Sequence, residues 1–196
     1  MTLKLEPYDP QHHDQGHIAR LIFESDPELN RLVYGDNALE VLEKLLNMPE
    51  SYFTPEYMKC AMLDGKLAGV VVYYPTSQMQ AVDKLAGRGF MKALGFFTFA
   101  KKFFFYMKMD KMLAGEIDPD GLYIHTLCVN AALRGQGIGG EIIRLLAQEN
   151  EKMYLYVNAA NDPAIRFYKS AGFEQAAHGE MQHKGQTYGE FLMLRS

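Results

Sequence analysis

Four glycines crowd one short stretch, Arg134-Gly135-Gln136-Gly137-Ile138-Gly139-Gly140, placed between an apolar run and an amphipathic one. Glycine lets backbone approach a ligand and turn its N–H groups toward it, and a helix start adds partial positive charge, so this stretch reads as an anion site best filled by phosphate. Arg134 adds a fixed guanidinium. The same residues satisfy G-x-G-x-x-G, the dinucleotide fingerprint, but about 20 residues on stand Val157 and Asn158 instead of the acid that would hold a ribose hydroxyl. A Walker A loop is excluded because no Lys-Ser/Thr follows the glycines.

Upstream, Leu122 to Val129 reads as a strand, with Leu122, Ile124, Thr126 and Cys128 on one face and Tyr123, His125, Leu127 and Val129 on the other. Cys128 in such a strand is expected to be a small apolar side chain and not an acyl-carrying nucleophile. His12, His13 and His17 lack the further ligands a metal would want, so no metal site is expected.

Two motifs, Leu127 to Gly139 and Val157 to Phe173, resemble those of the GNAT superfamily of acetyl-CoA-dependent N-acetyltransferases. The first is similar to the family's Arg/Gln-x-x-Gly-x-Gly/Ala pyrophosphate loop. The second is similar to its Asn-x-x-Ala-x-x-x-Tyr-x-x-x-Gly-Phe helix, here Asn161, Ala164, Tyr168, Gly172 and Phe173. The resemblance spans about residues 57–196 apart from an insert, and the first 50 residues agree with it in element order alone.

It implies that strand backbone at Leu127, Cys128 and Val129 serves the thioester and pantetheine arm. It also implies that Arg134, Gly135, Gln136, Gly137, Ile138 and Gly139 take the pyrophosphate, that Asn161 sits beside the cofactor, and that Tyr168 faces the sulfur as general acid. A tyrosine near pKa 10 is a weaker acid than a thiol near 8.5, so Tyr168 is expected mainly to hydrogen-bond the developing charge. Core packing beside Ala164, Phe167 and Ala171 is the competing reading. An alkylamine near pKa 10 is neutral in about one molecule in a thousand at pH 7, so a base is needed. His125 matches a position where some members carry a catalytic histidine, though a hydrogen-bonded core histidine is equally consistent. Glu116, Asp118, Asp120 or Glu190 acting through water are the alternatives.

The elements that must position these groups follow from periodicity. Leu3 to Tyr8 reads as a strand, a helix follows an Asp14 N-cap, and a second helix covers about 38–47. Asp64-Gly65 marks a hairpin. Ile138, Ile142, Leu145 and Leu146 mark an amphipathic helix, and Met153 to Val157 a strand. Asp162 as N-cap with Pro163 opens a last helix, and two strands flank Lys184-Gly185. The expected fold is a GNAT-like α/β (α+β) sandwich, a mixed and mostly antiparallel sheet with helices on both faces. It forms one domain over 1–196, with a helical insert at about 76–117 between the third and fourth strands.

Composition fits that picture. The 196 residues carry 20 Lys plus Arg against 24 Asp plus Glu, a net charge of -4, with 48 % apolar residues, which excludes disorder and argues against a nucleic-acid partner. Two cysteines and no signal-like start place the expectation in a reducing cytoplasm. Phe90 to Met109 is apolar on nearly every side, but Lys92, Lys101, Lys102 and Lys108 interrupt it, so it reads as a buried or interface helix and not a membrane span. That insert is expected to reshape or cover the acceptor pocket, or to join a homodimer. The expected activity is transfer of acetyl from acetyl-CoA, the cosubstrate, to a primary amine on a small molecule or peptide, by direct attack. A non-catalytic CoA-binding sensor or assembly module of the same fold is the alternative.

Overall fold

The computed structural model describes residues 2–196. Seven strands form one sheet in the order β1-β2-β3-β4-β5-β7-β6. They are β1 (Leu3–Pro7), β2 (Met58–Leu63), β3 (Lys66–Pro75), β4 (Leu122–Val129), β5 (Met153–Asn158), β6 (Glu174–His183) and β7 (Gln186–Arg195). Every pairing is antiparallel except β4 with β5. Both hairpins turn where the sequence places them, with Asp64 at φ 47° and Lys184 at φ 50°, each followed by a glycine at φ 79°.

Helices cover both faces, as expected. On one face lie α1 (Gln15–Ser25), α2 (Pro27–Tyr34) and α3 (Ala38–Leu46), where Ile18, Leu42 and Leu45 pack on Met58, Val70 and Val72. On the other lie α6 (Ile138–Leu146) and α7 (Asp162–Ser170), where Ile138 and Ile142 pack with Val71, Ile124 and Leu155. Alternation along β3 explains the division, since Val70 and Val72 point to one layer and Val71 to the other. Asp14 caps α1, its carboxylate accepting from the His17 N–H at 2.9 Å.

Four details depart from the sequence reading. Residues 27–34 form a helix that was not expected, capped by Asp26, whose carboxylate accepts from the Leu29 N–H at 2.9 Å. The cap of α7 is Asn161 and not Asp162: the Asn161 side-chain oxygen accepts from the Ala164 N–H at 3.2 Å, and Asp162 is the first helical residue. The apolar run Phe90 to Met109 is two helices, α4 (Met79–Leu94) and α5 (Phe96–Met112), parted at Gly95. It is not uniformly buried, since Phe96, Phe97 and Phe104 are 68, 81 and 76 % exposed while Phe105 is in the core.

The fourth departure matters most for the site. Val72 pairs with Thr126 and Tyr73 with Ile124, so His125 is an extra residue, a β-bulge in β4. The bulge breaks strict alternation: Leu122 and Ile124 pack toward α6, and so do Leu127 and Val129, while Cys128 joins the α1 and α3 layer. The expected shared face of His125 and Leu127 is therefore overturned.

The insert packs over the α2 and α3 side. Lys102 of α5 donates to the carbonyls of Leu32 and Val33 at 2.7 and 3.2 Å, and the Tyr106 hydroxyl to Val33 at 2.9 Å, supplying the C-terminal end of α2 with partners. No helix of the described residues is long and apolar enough to cross a membrane.

Candidate active site

The two halves of the site arise from one irregularity in the sheet. Strands β4 and β5 pair at only two positions, Leu122 with Met153 and Tyr123 with Tyr154, and then part. From Ile124 to Val129 the β5-facing edge of β4 has no strand partner among the described residues, which leaves backbone groups free for a ligand.

Beyond β4 the chain runs through a short 3-10 turn, Ala131–Leu133, into the glycine loop. Gly135 and Gly137 stand at φ 75° and 82°, which only glycine adopts without strain, and an added Cβ at either would meet open space. None of the six backbone N–H groups from Gly135 to Gly140 finds an acceptor among the described residues. Six free amides at the start of a helix form a cradle for a pyrophosphate. The Arg134 guanidinium is held beside it, donating from Nε to the Val129 carbonyl at 3.1 Å. The residues present thus fit a cofactor with a pyrophosphate and an extended arm.

Where the strands part, a cavity of about 550 Å³ opens. His125, Thr126 and Leu127 reach it from β4, Tyr156 and Asn158 from β5, Asn161 from the cap of α7, Ala164 and Tyr168 from α7 itself, and Glu190 from β7. The remaining wall comes from α1 and α2, from Tyr52, and from the insert through Asp83, Phe90, Phe99 and Tyr106. The insert thus shapes the pocket, one of the roles the sequence left open. A second cavity of about 470 Å³ shares Leu29, Met109, Asn158 and Glu190 with the first, so the Glu190 carboxylate stands between them.

Electrostatics separate the candidate acids and bases. Glu190 is only 7 % exposed, and its carboxyl forms no hydrogen bond or ion pair among the described residues; burial, with Asp26 nearby, pushes that carboxyl up to about 8. His125 is half-buried among aromatic rings, stacked on Tyr52 with centroids 4.0 Å apart and with Nδ1 2.8 Å from the Thr126 hydroxyl; desolvation lowers it to about 4. Tyr168 is held well above the ordinary tyrosine value by burial and by Cys128, which strengthens the case for hydrogen bonding over full proton transfer. Burial raises the Cys128 thiol to about 12, so at pH 7 about one in 10⁵ is thiolate, too few for a nucleophile. Asn161 spends its carbonyl oxygen on the α7 cap and keeps its Nδ2 donor.

Glu116, Asp118 and Asp120 lie outside the cavity, and Asp118 pairs with Lys152. His12 and His13 serve local structure, His12 paired to the Asp9 carboxylate at 2.6 Å and His13 Nδ1 lying 3.0 Å from the Asp9 N–H nitrogen. Among the described residues no group of three or more His, Cys, Asp or Glu side chains is arranged for a metal. Sequence reasoning missed Tyr52, Asp83, Tyr123 and Tyr156, which lack any local motif and meet only through the fold.

A family model described as the acetyltransferase (GNAT) family matches residues 21–173. The chain belongs to the GNAT family. N-alpha-acetyltransferase RimI of Mycobacterium tuberculosis is 35 % identical over 63 residues, 31 % of this GNAT chain and 40 % of that protein. The chain's match spans less than half the length of the curated relatives found. An N-acetyltransferase of Staphylococcus aureus Mu50 superposes with a TM-score of 0.66 at 21 % identity, covering 96 % of this chain and 99 % of that one. A GNAT acetyltransferase of Elizabethkingia anophelis with acetyl-CoA bound superposes at 0.53 and 13 % identity, covering 99 and 97 %. The GNAT fold, a mostly antiparallel seven-stranded sheet between helical layers, is thereby shown, and acetyl-CoA is the family's usual cosubstrate.

Proposed function

We propose that this chain is an N-acetyltransferase that moves the acetyl group of acetyl-CoA to a primary amine by direct attack. Acetyl-CoA supplies the activated acyl group, and the six free amides of residues 135–140 with Arg134 are the groups to hold its pyrophosphate. The β4 edge at Leu127, Cys128 and Val129 lies along the expected path of the arm, and Asn161 offers its Nδ2 donor beside it.

The observation that carries the reading is the unpartnered Glu190 carboxyl in a cavity that also holds the Tyr168 side chain. Transfer of a proton from an amine near pKa 10 to an acceptor near 8 is uphill by about 3 kcal/mol, whereas an acceptor near 4 makes it about 8 kcal/mol. Glu190 therefore serves as the base, directly or through water, and His125 helps to shape the aromatic wall. About one Glu190 in ten is ionised at pH 7 in the free protein, and an incoming ammonium increases that share. Tyr168 donates a hydrogen bond to the departing thiolate.

The test is calorimetric titration with acetyl-CoA followed by thiol release on a panel of amines. Binding with amine-dependent release is expected. Binding with no release on any amine points instead to a CoA-binding module, and no binding removes the reading.

A further inference from the structure

The two adjoining cavities carry an unusual balance of charge. Asp26, Glu28, Asp83, Glu180 and Glu190 line them, and no lysine or arginine does among the described residues, although the chain as a whole has 20 basic residues to 24 acidic ones. His125 is neutral there near pH 7. The walls are aromatic on several sides, which favours an organic cation with an apolar body.

Asp26 is engaged by the Leu29 N–H and by Asn158 Nδ2, both at 2.9 Å. Glu180 stands 3.4 Å from His178, and Glu28 lines only the second cavity, which leaves Glu190 and Asp83 as the open carboxylates of the first. Glu190 is deeply buried and unpartnered, as described above. Asp83, on the insert, accepts one hydrogen bond from the Tyr52 hydroxyl at 2.9 Å, and no cation pairs with it among the described residues. Tyr52 in turn stacks on His125, so Tyr52 links the Asp83 carboxylate to the bulge of β4. Tyr123 lines the same cavity as both Asp83 and Glu190.

We infer that the acceptor is an organic diamine or polyamine without a carboxylate, one amine directed to Glu190 and a second cation held by Asp83 against Tyr52. This rests on the acetyl-transfer reading for the fate of the first amine. The second cation site stands on the insert, and it explains what the insert contributes to the pocket. A carboxylate-bearing amine, such as a free amino acid, meets like charge in these cavities and is rejected.

The probes are monoamines, terminal diamines and ω-amino acids with matched chains of four, six and eight carbons, titrated calorimetrically into the protein saturated with CoA. At one chain length or more the diamine is expected to bind about tenfold tighter than its monoamine, and the amino acid weakest. Asp83→Asn keeps a partner for the Tyr52 hydroxyl and is expected to remove most of the diamine advantage. Equal binding of monoamine and diamine at every length, or an advantage that survives Asp83→Asn, overturns the inference. Thiol release from acetyl-CoA is followed in parallel. Absence of release with every amine removes the acetyl-transfer reading, while the binding ratios still decide the second-cation site.

Discussion

At the scale of single residues, the site is a contrast between two desolvated titratable groups, Glu190 and His125. Desolvation holds both in their uncharged forms, but with opposite consequences for a base. A carboxyl raised to about 8 gains proton affinity and approaches that of the amine, while an imidazole lowered to about 4 loses it. Replacing His125 by Asn is expected to leave the position of the neutral-range pH inflection unmoved, and a shift of that inflection in a pH-rate profile contradicts the assignment. Tyr168→Phe is expected to lower kcat by about tenfold to a hundredfold with little change in acetyl-CoA affinity, read by steady-state kinetics and calorimetry. Turnover unchanged across pH removes Tyr168 from the mechanism. Gly137→Val places a β-branched residue at φ 82° and disturbs the amide cradle, so acetyl-CoA binding is expected to be lost; tight binding by that variant refutes the loop assignment.

Elements decide whether such residues meet. The hairpins at Asp64 and Lys184, helix α6 and the glycine loop were legible because each is specified by neighbours in sequence. The cap of α7 was displaced by one residue because Asn161 and Asp162 are both good caps and only geometry chooses between them. Helix α2 was missed because it is only eight residues long and follows α1 after a single residue, Asp26, although its Asp26-Pro27 start is of the same kind as Asp162-Pro163. The bulge at His125 left no trace in the strand's apolar pattern, yet it sets which side chains of β4 reach the cavity. Docking of the insert is equally hidden: a Cβ at Gly89 of α4 would lie 1.7 Å from the Glu50 carbonyl oxygen. Helix propensity alone favours Gly89→Ala by about 1 kcal/mol, but relieving this backbone overlap costs about 1–3 kcal/mol, so a net loss is expected in urea unfolding. Because α4 carries Asp83 and abuts the segment with Tyr52, KM for the amine should rise more than that for acetyl-CoA. A stabilised variant with unchanged KM contradicts the packing described.

Over the whole molecule, groups suited to an anion and groups suited to a cation lie on different sides of one split in the sheet. Free amides and Arg134 suit an anion at the start of α6, and carboxylates suit a cation where β5, β7 and the insert converge. The mild overall charge conceals this separation, which is why composition argues against a nucleic-acid partner yet gives no view of the acceptor. The buried Glu190 also ties stability to pH. Its folded value near 8 exceeds the ordinary carboxylate value of 4.5, so between those limits the folded protein binds more protons than the unfolded chain. Its contribution is fully present below about pH 4.5 and is lost as pH rises through 8, by up to about 1.4 kcal/mol per pH unit. Glu190→Gln should flatten that decline in urea titrations between pH 5 and 8, and a decline of unchanged slope places the carboxyl's titration elsewhere. The same substitution supplies the most direct test of the acetyl-transfer account: the pH dependence of kcat/KM for amine acetylation, with the acetylated product confirmed by mass spectrometry. The wild-type profile is expected to rise through an inflection near 8 as Glu190 ionises, though the amine's own ionisation, near 10, also raises it. Glu190→Gln is expected to lose about 10² to 10⁴ in rate together with the Glu190 inflection. A variant that keeps the wild-type rate and the same inflection contradicts the account.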